Sequence, residues 1–177
     1  NPKGFMPSSR IKSLIKELFS LGTQEIYFHG FGEPFLHPEL VDILTYTGEK
    51  YPKLRQFIVT NGTCISEAAI KAVLTHKIKL RVSLHAFDSF SWQEIHPNDN
   101  INLFHNAKNA IKTISQKNPS LVELLFVLNN INYNQTDEML KFAKKIGVPA
   151  IHPYLAIMDT DVAGHSVGMA EATMTPR

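Results

Sequence analysis

The chain has 177 residues, 44 % of them apolar and 19 % charged, with a net charge of +2. That length suits one domain with a substantial core, burying about 70 % of the surface its unfolded chain exposes. Lys, Arg, Asp and Glu are scattered without like-charge blocks, which gives no electrostatic case for nucleic acid or an anionic membrane as partner. No apolar run approaches the roughly 18 residues of a membrane-spanning helix, and no signal segment opens the chain. A single cysteine, Cys64, cannot form an internal disulfide and fits a reducing, cytoplasmic setting. The sequence carries no indication of oligomeric state.

In chain order, the hydrophobic period switches repeatedly between helix-like and strand-like. In "SSRIKSLIKELFSLG" the residues Ile11, Leu14, Ile15, Leu18 and Leu21 share one helical face, with Ser8 or Ser9 as cap and Gly22 as terminator. "QEIYFH" reads as a strand, and a helix follows from Pro38 to about Tyr51. "RQFIVT" is the second strand, stopped by Asn61-Gly62, and Ser66 caps a helix ending near His76. "LRVSL" is the third strand; "HAFDSFSWQEIHPNDN" reads as a long loop before a helix carrying Ala107, Ala110, Ile111 and Ile114. "VELLFVL" is the fourth strand, Thr136 caps a helix closed by Gly147, and "AIHPYLAI" is the fifth strand.

Five strands alternating with five helices predict an α/β fold with a parallel sheet. The strands are short runs rich in Ile, Val, Leu and Phe with little alternation, as for strands covered on both faces. Because a helix comes first, a repeated βα architecture lacks its first strand, which is expected before Asn1. The expected domain spans residues 1–157, and 158–177 reads as a loosely ordered extension.

Parallel α/β sheets gather functional groups where strands exit at their C-terminal edge. The exits here offer His29, Gly30, Gly32 and Glu33; Thr60 and Asn61; Ser83 and His85; Asn129 and Asn130; and His152 and Tyr154. Each residue alone has an ordinary loop explanation. Gly30 and Gly32, however, bare the backbone at a strand exit, and Pro34 holds Glu33 extended. Exposed carbonyls beside a carboxylate suit a cationic amino group. A phosphate would want Lys or a helix N-terminus and a longer glycine loop.

"GFGEP" resembles the GGEP motif of the radical S-adenosylmethionine (radical SAM) enzymes, and "FLHPEL" follows it as in many of them. "IVTNGTCI" is similar to that superfamily's TNG-containing third strand, and "RVSLHAFDSFSWQEIHP" to its fourth strand and loop, commonly VSLD or VSID. "LLFVLNNINYNQTDEMLKFAKKIGV" resembles its fifth strand and helix, and "KGFMP" the segment that often follows the cluster-binding loop. The resemblance runs from about Lys3 to about Ile157.

It implies a partial (βα)6 TIM-like barrel, with the strands present corresponding to its second to sixth. It further implies that Gly30, Phe31, Gly32, Glu33 and Pro34 hold the methionyl amino group of S-adenosylmethionine through backbone oxygens, with the Glu33 side chain as an occasional helper. Thr60, Asn61 and Ser83 correspond to positions contacting the cofactor's carboxylate or ribose, with Asn129 at the next exit. The backbone from His152 to Tyr154 is expected beside the adenine. An intact homologue would use a reduced 4Fe–4S cluster to cleave the cofactor to a radical that takes hydrogen from substrate.

Three departures bear on this. Phe31 replaces the first Gly of the central pair, and His85 replaces the usual Asp, so no role of that Asp transfers. The CxxxCxxC loop that ligates the cluster is absent, since Cys64 is alone; its ligands are expected upstream, and the chain by itself is expected to be inactive. Two other readings stand beside this one. Glu33, His85 and His152 are acceptable zinc or manganese ligands for a metal-dependent TIM-barrel hydrolase or isomerase, with His29, His37 and His96 nearby, although no HxH or HExxH pair is present. Alternatively the chain is a non-catalytic barrel module whose Phe87, Phe90 and Trp92 form a ligand or partner surface.

Overall fold

The apolar rows of the sequence translate into α1 (Ser8–Ser20), β1 (Glu25–Phe28), α2 (Leu40–Lys50), β2 (Arg55–Thr60), α3 (Glu67–Thr75), β3 (Lys79–Ser83), α4 (Ser89–Ile95), α5 (Ile101–Lys117), β4 (Val122–Leu128), α6 (Thr136–Ile146) and β5 (Ala150–Leu155). The computed structural model describes residues 4–155, so the proposed extension at 158–177 lies outside the described residues.

All five strands are parallel and lie in the order β1-β2-β3-β4-β5. Each connection steps to the adjacent strand, and crossovers of one hand put every linking helix on the same face. The burial pattern agrees. Ile58, Leu80, Val82, Val122 and Leu124 point to that face and merge with Leu44, Val73, Ile111, Ile114 and Ala143 from the helices into one core. A smaller core under α1 and α2 holds Ile15, Ile43, Tyr51 and Leu54. Burying each large aliphatic side chain contributes about 1.5–3 kcal/mol.

Residues of the other parity, such as Phe57, Val59, Arg81, Ser83, Glu123 and Leu125, are only half-buried. The strands are therefore not covered on both faces among the described residues, contrary to the expectation from their apolar content. One face carries the helices and the other is the open interior side of a partial barrel.

Helix ends follow local chemistry, with some shifts. Gly22, at φ +90°, ends α1 in a Schellman arrangement: Thr23 N–H donates to Leu18 O (3.1 Å) and Gly22 N–H to Phe19 O (3.0 Å). Ser66 Oγ accepts from Ala69 N (3.2 Å) and caps α3 as expected, and Gly147 closes α6 with φ +73°. Ser8 and Ser9 do not cap α1. Arg10 N and Ile11 N already donate to Pro7 O, so the helix starts a residue earlier, and Ser8 Oγ donates to Glu39 instead.

α2 likewise begins at Leu40 rather than Pro38. Pro34–Leu36 first forms a 3₁₀ turn, and the His37 ring takes the capping role, with Nδ1 accepting from Glu39 N at 3.1 Å and Nε2 meeting Met6 O at 2.9 Å. Thr136 is the first residue of α6 rather than its cap, and its hydroxyl donates to Tyr133 O. The segment read as a long loop after β3 contains α4, capped by Asp88 Oδ1 accepting from Ser91 N (2.8 Å). No helix among the described residues is long and apolar enough to cross a membrane.

Candidate active site

The exit of β1 bends back over the sheet through Gly30, whose φ of +154° disfavours a side chain. A Cβ added at Gly30 or Gly32 would meet nothing within 4 Å, so the backbone there is open to an approaching ligand. Phe31 between them is fully exposed.

Glu33 anchors this loop. Its Oε1 accepts from Phe35 N (3.1 Å) and from Thr60 Oγ1 (2.6 Å), and its Oε2 accepts from Asn61 N (2.8 Å). Thr60 Oγ1 accepts in turn from Gly62 N (2.9 Å), while Asn61 Oδ1 accepts from the backbone (2.9 Å) and hydroxyl (2.7 Å) of Thr63. One carboxylate therefore fastens the exit of β1 to the exit of β2, and its oxygens point into the protein. Gly62 is required for both shape and space: φ is +77°, and a Cβ there would stand 3.0 Å from Val82 Cγ1 and 3.2 Å from Ala107 Cβ.

Gly30, Phe31, Gly32, Glu33, Thr60, Asn61 and Ser83 surround one cleft of about 320 Å³ across the exits of β1, β2 and β3. The Ser83 hydroxyl, half-buried, makes no hydrogen bond with another described residue. Pro34 borders a second, largely apolar groove of about 560 Å³ between α1 and β1, which shares Gly30 to Glu33 with the cleft.

Asn129 and Tyr154 are not part of the three-strand cleft. Asn129 is buried, and its Oδ1 accepts from Ile131 N (2.9 Å) and Asn132 N (3.2 Å), shaping the exit of β4. Tyr154 stands exposed on β5, in register with Val127.

Several organising residues escaped the reading of the sequence. Asn132 is fully buried, and its Nδ2 donates to His85 O (2.7 Å) and Val127 O (2.8 Å), joining the exits of β3 and β4. Gln135 Oε1 accepts from Phe87 N (2.8 Å), and its Nε2 donates to Ser91 Oγ (2.7 Å) and to Asp88. Arg81 and Glu123 carry charge on the face away from the helices, with Arg81 Nε donating to Glu123 Oε2 at 2.7 Å. Here a signal did exist: a charged residue inside each of the apolar runs "LRVSL" and "VELLFVL".

Burial alone would push Glu123 up, but the Arg81 hydrogen bond and charge, with His152 and Lys79 behind them, hold its carboxyl below the usual range. Burial, aided by repulsion from His96, lowers His85 to about 4, so its ring is neutral near pH 7 and Nδ1 accepts from Val127 N at 3.3 Å. The three residues considered as metal ligands stand apart: Glu33 is bonded to β2, His85 to β4, and His152 Nε2 lies 3.4 Å from Glu123 without a hydrogen bond. No group of three or more His, Cys, Asp or Glu placed to hold a metal ion occurs among the described residues. Trp92 is buried rather than part of an exposed aromatic surface, Phe87 packs edge-on against Phe126 and Phe142, and Phe90 alone of the three is exposed.

A sequential parallel βα sheet with its cleft at the C-terminal strand exits is the architecture of a partial-barrel enzyme. The chain belongs to the radical SAM superfamily, whose family model matches residues 1–143. It is 28 % identical over 153 residues to a probable GTP 3',8-cyclase of Sulfurisphaera tokodaii, covering 86 % of this chain and 47 % of that protein. A probable GTP 3',8-cyclase of Thermoplasma volcanium is 25 % identical over 140 residues, covering 75 % and 40 %. The chain thus spans about half or less of the length of these relatives.

Among solved structures, native anSMEcpe with bound AdoMet superposes with a TM-score of 0.65 at 19 % identity, covering 87 % of this chain and 44 % of that one. The same protein with AdoMet and the Kp18Cys peptide gives 0.65 at 20 % identity, covering 91 % and 47 %. These likenesses establish the partial-barrel fold. Membership of the superfamily implies S-adenosylmethionine and a 4Fe–4S cluster as cofactors.

Proposed function

We propose that the cleft at the exits of β1, β2 and β3 binds S-adenosylmethionine and that the chain is the cofactor-binding core of a radical SAM enzyme. The observation that carries this reading is the Glu33 clasp, which fastens the glycine-opened exit of β1 to the exit of β2 around a cleft that also receives Ser83. Carbonyl oxygens of Gly30, Phe31 and Gly32 meet the cofactor's ammonium group, and Pro34 keeps the loop extended beneath it. Glu33 acts mainly by positioning, since both its oxygens already accept hydrogen bonds.

The free Ser83 hydroxyl, with Thr60 and Asn61, faces the cofactor's carboxylate or ribose. The adenine reaches beyond this cleft toward the exits of β4 and β5, where Tyr154 is exposed and Asn129 shapes the loop. When bound with a reduced cluster, the cofactor supplies a hydrogen-abstracting radical; the protein's work is orientation and exclusion of water. The cluster does not fit this chain by itself, because three thiolates are needed and Cys64 is half-buried and alone. A reducing, cytoplasmic setting suits both the lone thiol and such a cluster.

Calorimetric titration of the chain with S-adenosylmethionine tests the reading. Saturable binding is expected, and Gly32→Val should abolish it without lowering the melting temperature, because the new side chain enters open space in the cleft. Absence of binding to the wild-type chain, or unchanged affinity in Gly32→Val, overturns it.

A further inference from the structure

We propose that the sheet face turned away from the helices carries an oxyanion-binding patch, built on Arg81, Lys79 and His152, that receives a phosphate or carboxylate group of the substrate. The proposal rests on the reading of the strand-exit cleft as the cofactor site, which makes this face the side on which substrate lies.

The strand register places the patch. Val59, Arg81 and Glu123 stand abreast on β2, β3 and β4, with Tyr27, Phe57 and Lys79 in the next row toward the strand starts. Their neighbours Ile58, Leu80, Val82 and Leu124 are buried against the helices, so this parity faces the open side. A cation on the central strand of a sheet loses much of its hydration, and here only part of its bonding capacity is used. Arg81 Nε donates to Glu123 Oε2, whereas its terminal guanidinium fork makes no hydrogen bond with another described residue, and the side chain remains 34 % exposed. Such a fork matches the paired oxygens of a phosphate or carboxylate.

Glu123 orients the fork rather than competing for it. Arg81 Nε donates to its Oε2 at 2.7 Å, and His152 Nε2 stands 3.4 Å from the same oxygen without a hydrogen bond, which brings β3 and β5 to one carboxylate. Charge on this face is not balanced. Arg55 pairs with Glu25 at 2.6 Å and Arg81 with Glu123, leaving Lys79 with no ion pair among the described residues. The surplus is positive. Tyr27, 42 % exposed and stacked on Phe57 at 4.5 Å between ring centroids, adds a flat neighbour on the same face.

Titration of the full chain with pyrophosphate and, separately, with succinate at low ionic strength tests the proposal. Saturable binding of at least one is expected, about tenfold weaker in Arg81→Gln and in Lys79→Gln, the loss that one charged hydrogen-bonding group accounts for. Arg81→Gln strips Glu123 of its partner and can impair folding. Lys79→Gln breaks no ion pair and should melt with the wild type, so it decides alone if the first variant is unstable. Pyrophosphate alone binding assigns a phosphorylated substrate; succinate alone assigns a carboxylate. Failure of both anions to saturate, or wild-type affinity in both variants, overturns the patch. So does displacement of the anion by S-adenosylmethionine, which would make these residues part of the cofactor site. A wild-type chain that binds anion but not S-adenosylmethionine overturns the cofactor reading and leaves the patch standing.

Discussion

Glu33 illustrates how one side chain links sequence to site. Its position between Gly32 and Pro34 looked suited to a ligand's amino group, yet its oxygens take up Thr60, Asn61 and Phe35. Glu33→Ala leaves those donors without an acceptor and should cost roughly 2–3 kcal/mol, the range for hydrogen bonds to a charged group in a half-buried place. Binding of S-adenosylmethionine should fall with it, because the two loops lose their common anchor; denaturant titration and calorimetry on the same variant check both effects. His85 makes a pH-dependent contribution. Its ring titrates near 6.5 when unfolded and at about 4 when folded, so between these values the unfolded chain binds a proton that the native chain refuses. Stability from this group is complete above 6.5 and is lost as pH falls to about 4, a difference of roughly 3 kcal/mol. His85→Gln should flatten the curve of urea midpoint against pH across that window; an unchanged slope would show that other groups set it.

At the scale of elements, the sequence was most legible where local chemistry decides. Gly22, Ser66, Gly147 and the Asn61-Gly62 stop all act where their residue types predicted. It was least legible where partners are distant in the chain. The stretch from Ser89 to Ile95 has no strong helical period and reads as a loop, yet Asp88 caps it and Gln135, more than forty residues away, holds its start. Pro38 and Thr136 misled by one or two positions because His37 and the 3₁₀ turn before α6 begin those helices differently. Lys108 adds to the same tether, its Nζ donating to Phe87 O at 3.0 Å while lying over the Phe87 and Phe104 rings. Gln135→Leu removes an acceptor from Phe87 N and a donor from Ser91 and Asp88 at a buried position. A loss of roughly 2–3 kcal/mol is expected, with faster amide exchange confined to residues 86–92. Exchange that accelerates evenly over the whole chain would mean that Gln135 supports the core generally rather than this rim.

At the scale of the whole molecule, alternating βα signals were enough to predict a parallel sheet, but apolar content alone suggested coverage on both faces. The charges at Arg81 and Glu123 were the clue that one face stays open, since even a paired charge costs several kcal/mol of desolvation in a strand covered on both faces. The opening extends to the edge of the sheet. Among the described residues β1 is hydrogen-bonded only to β2, so its other side presents backbone groups they leave unpaired, and α1 beside it leaves Leu18 41 % and Leu21 82 % exposed. Between them lies the apolar groove of about 560 Å³. A free parallel edge next to an apolar groove is a template for association with another chain. Taken without the first strand expected before Asn1, the 177-residue chain should therefore self-associate as its concentration rises, visible as a growing sedimentation coefficient. Leu18→Lys with Leu21→Lys should shift it toward monomer with little change in melting temperature, because neither side chain is buried and both sit near the end of α1, where a cation also suits the helix dipole. A wild-type chain that stays monomeric at high concentration would show that the groove and edge are already satisfied within one molecule.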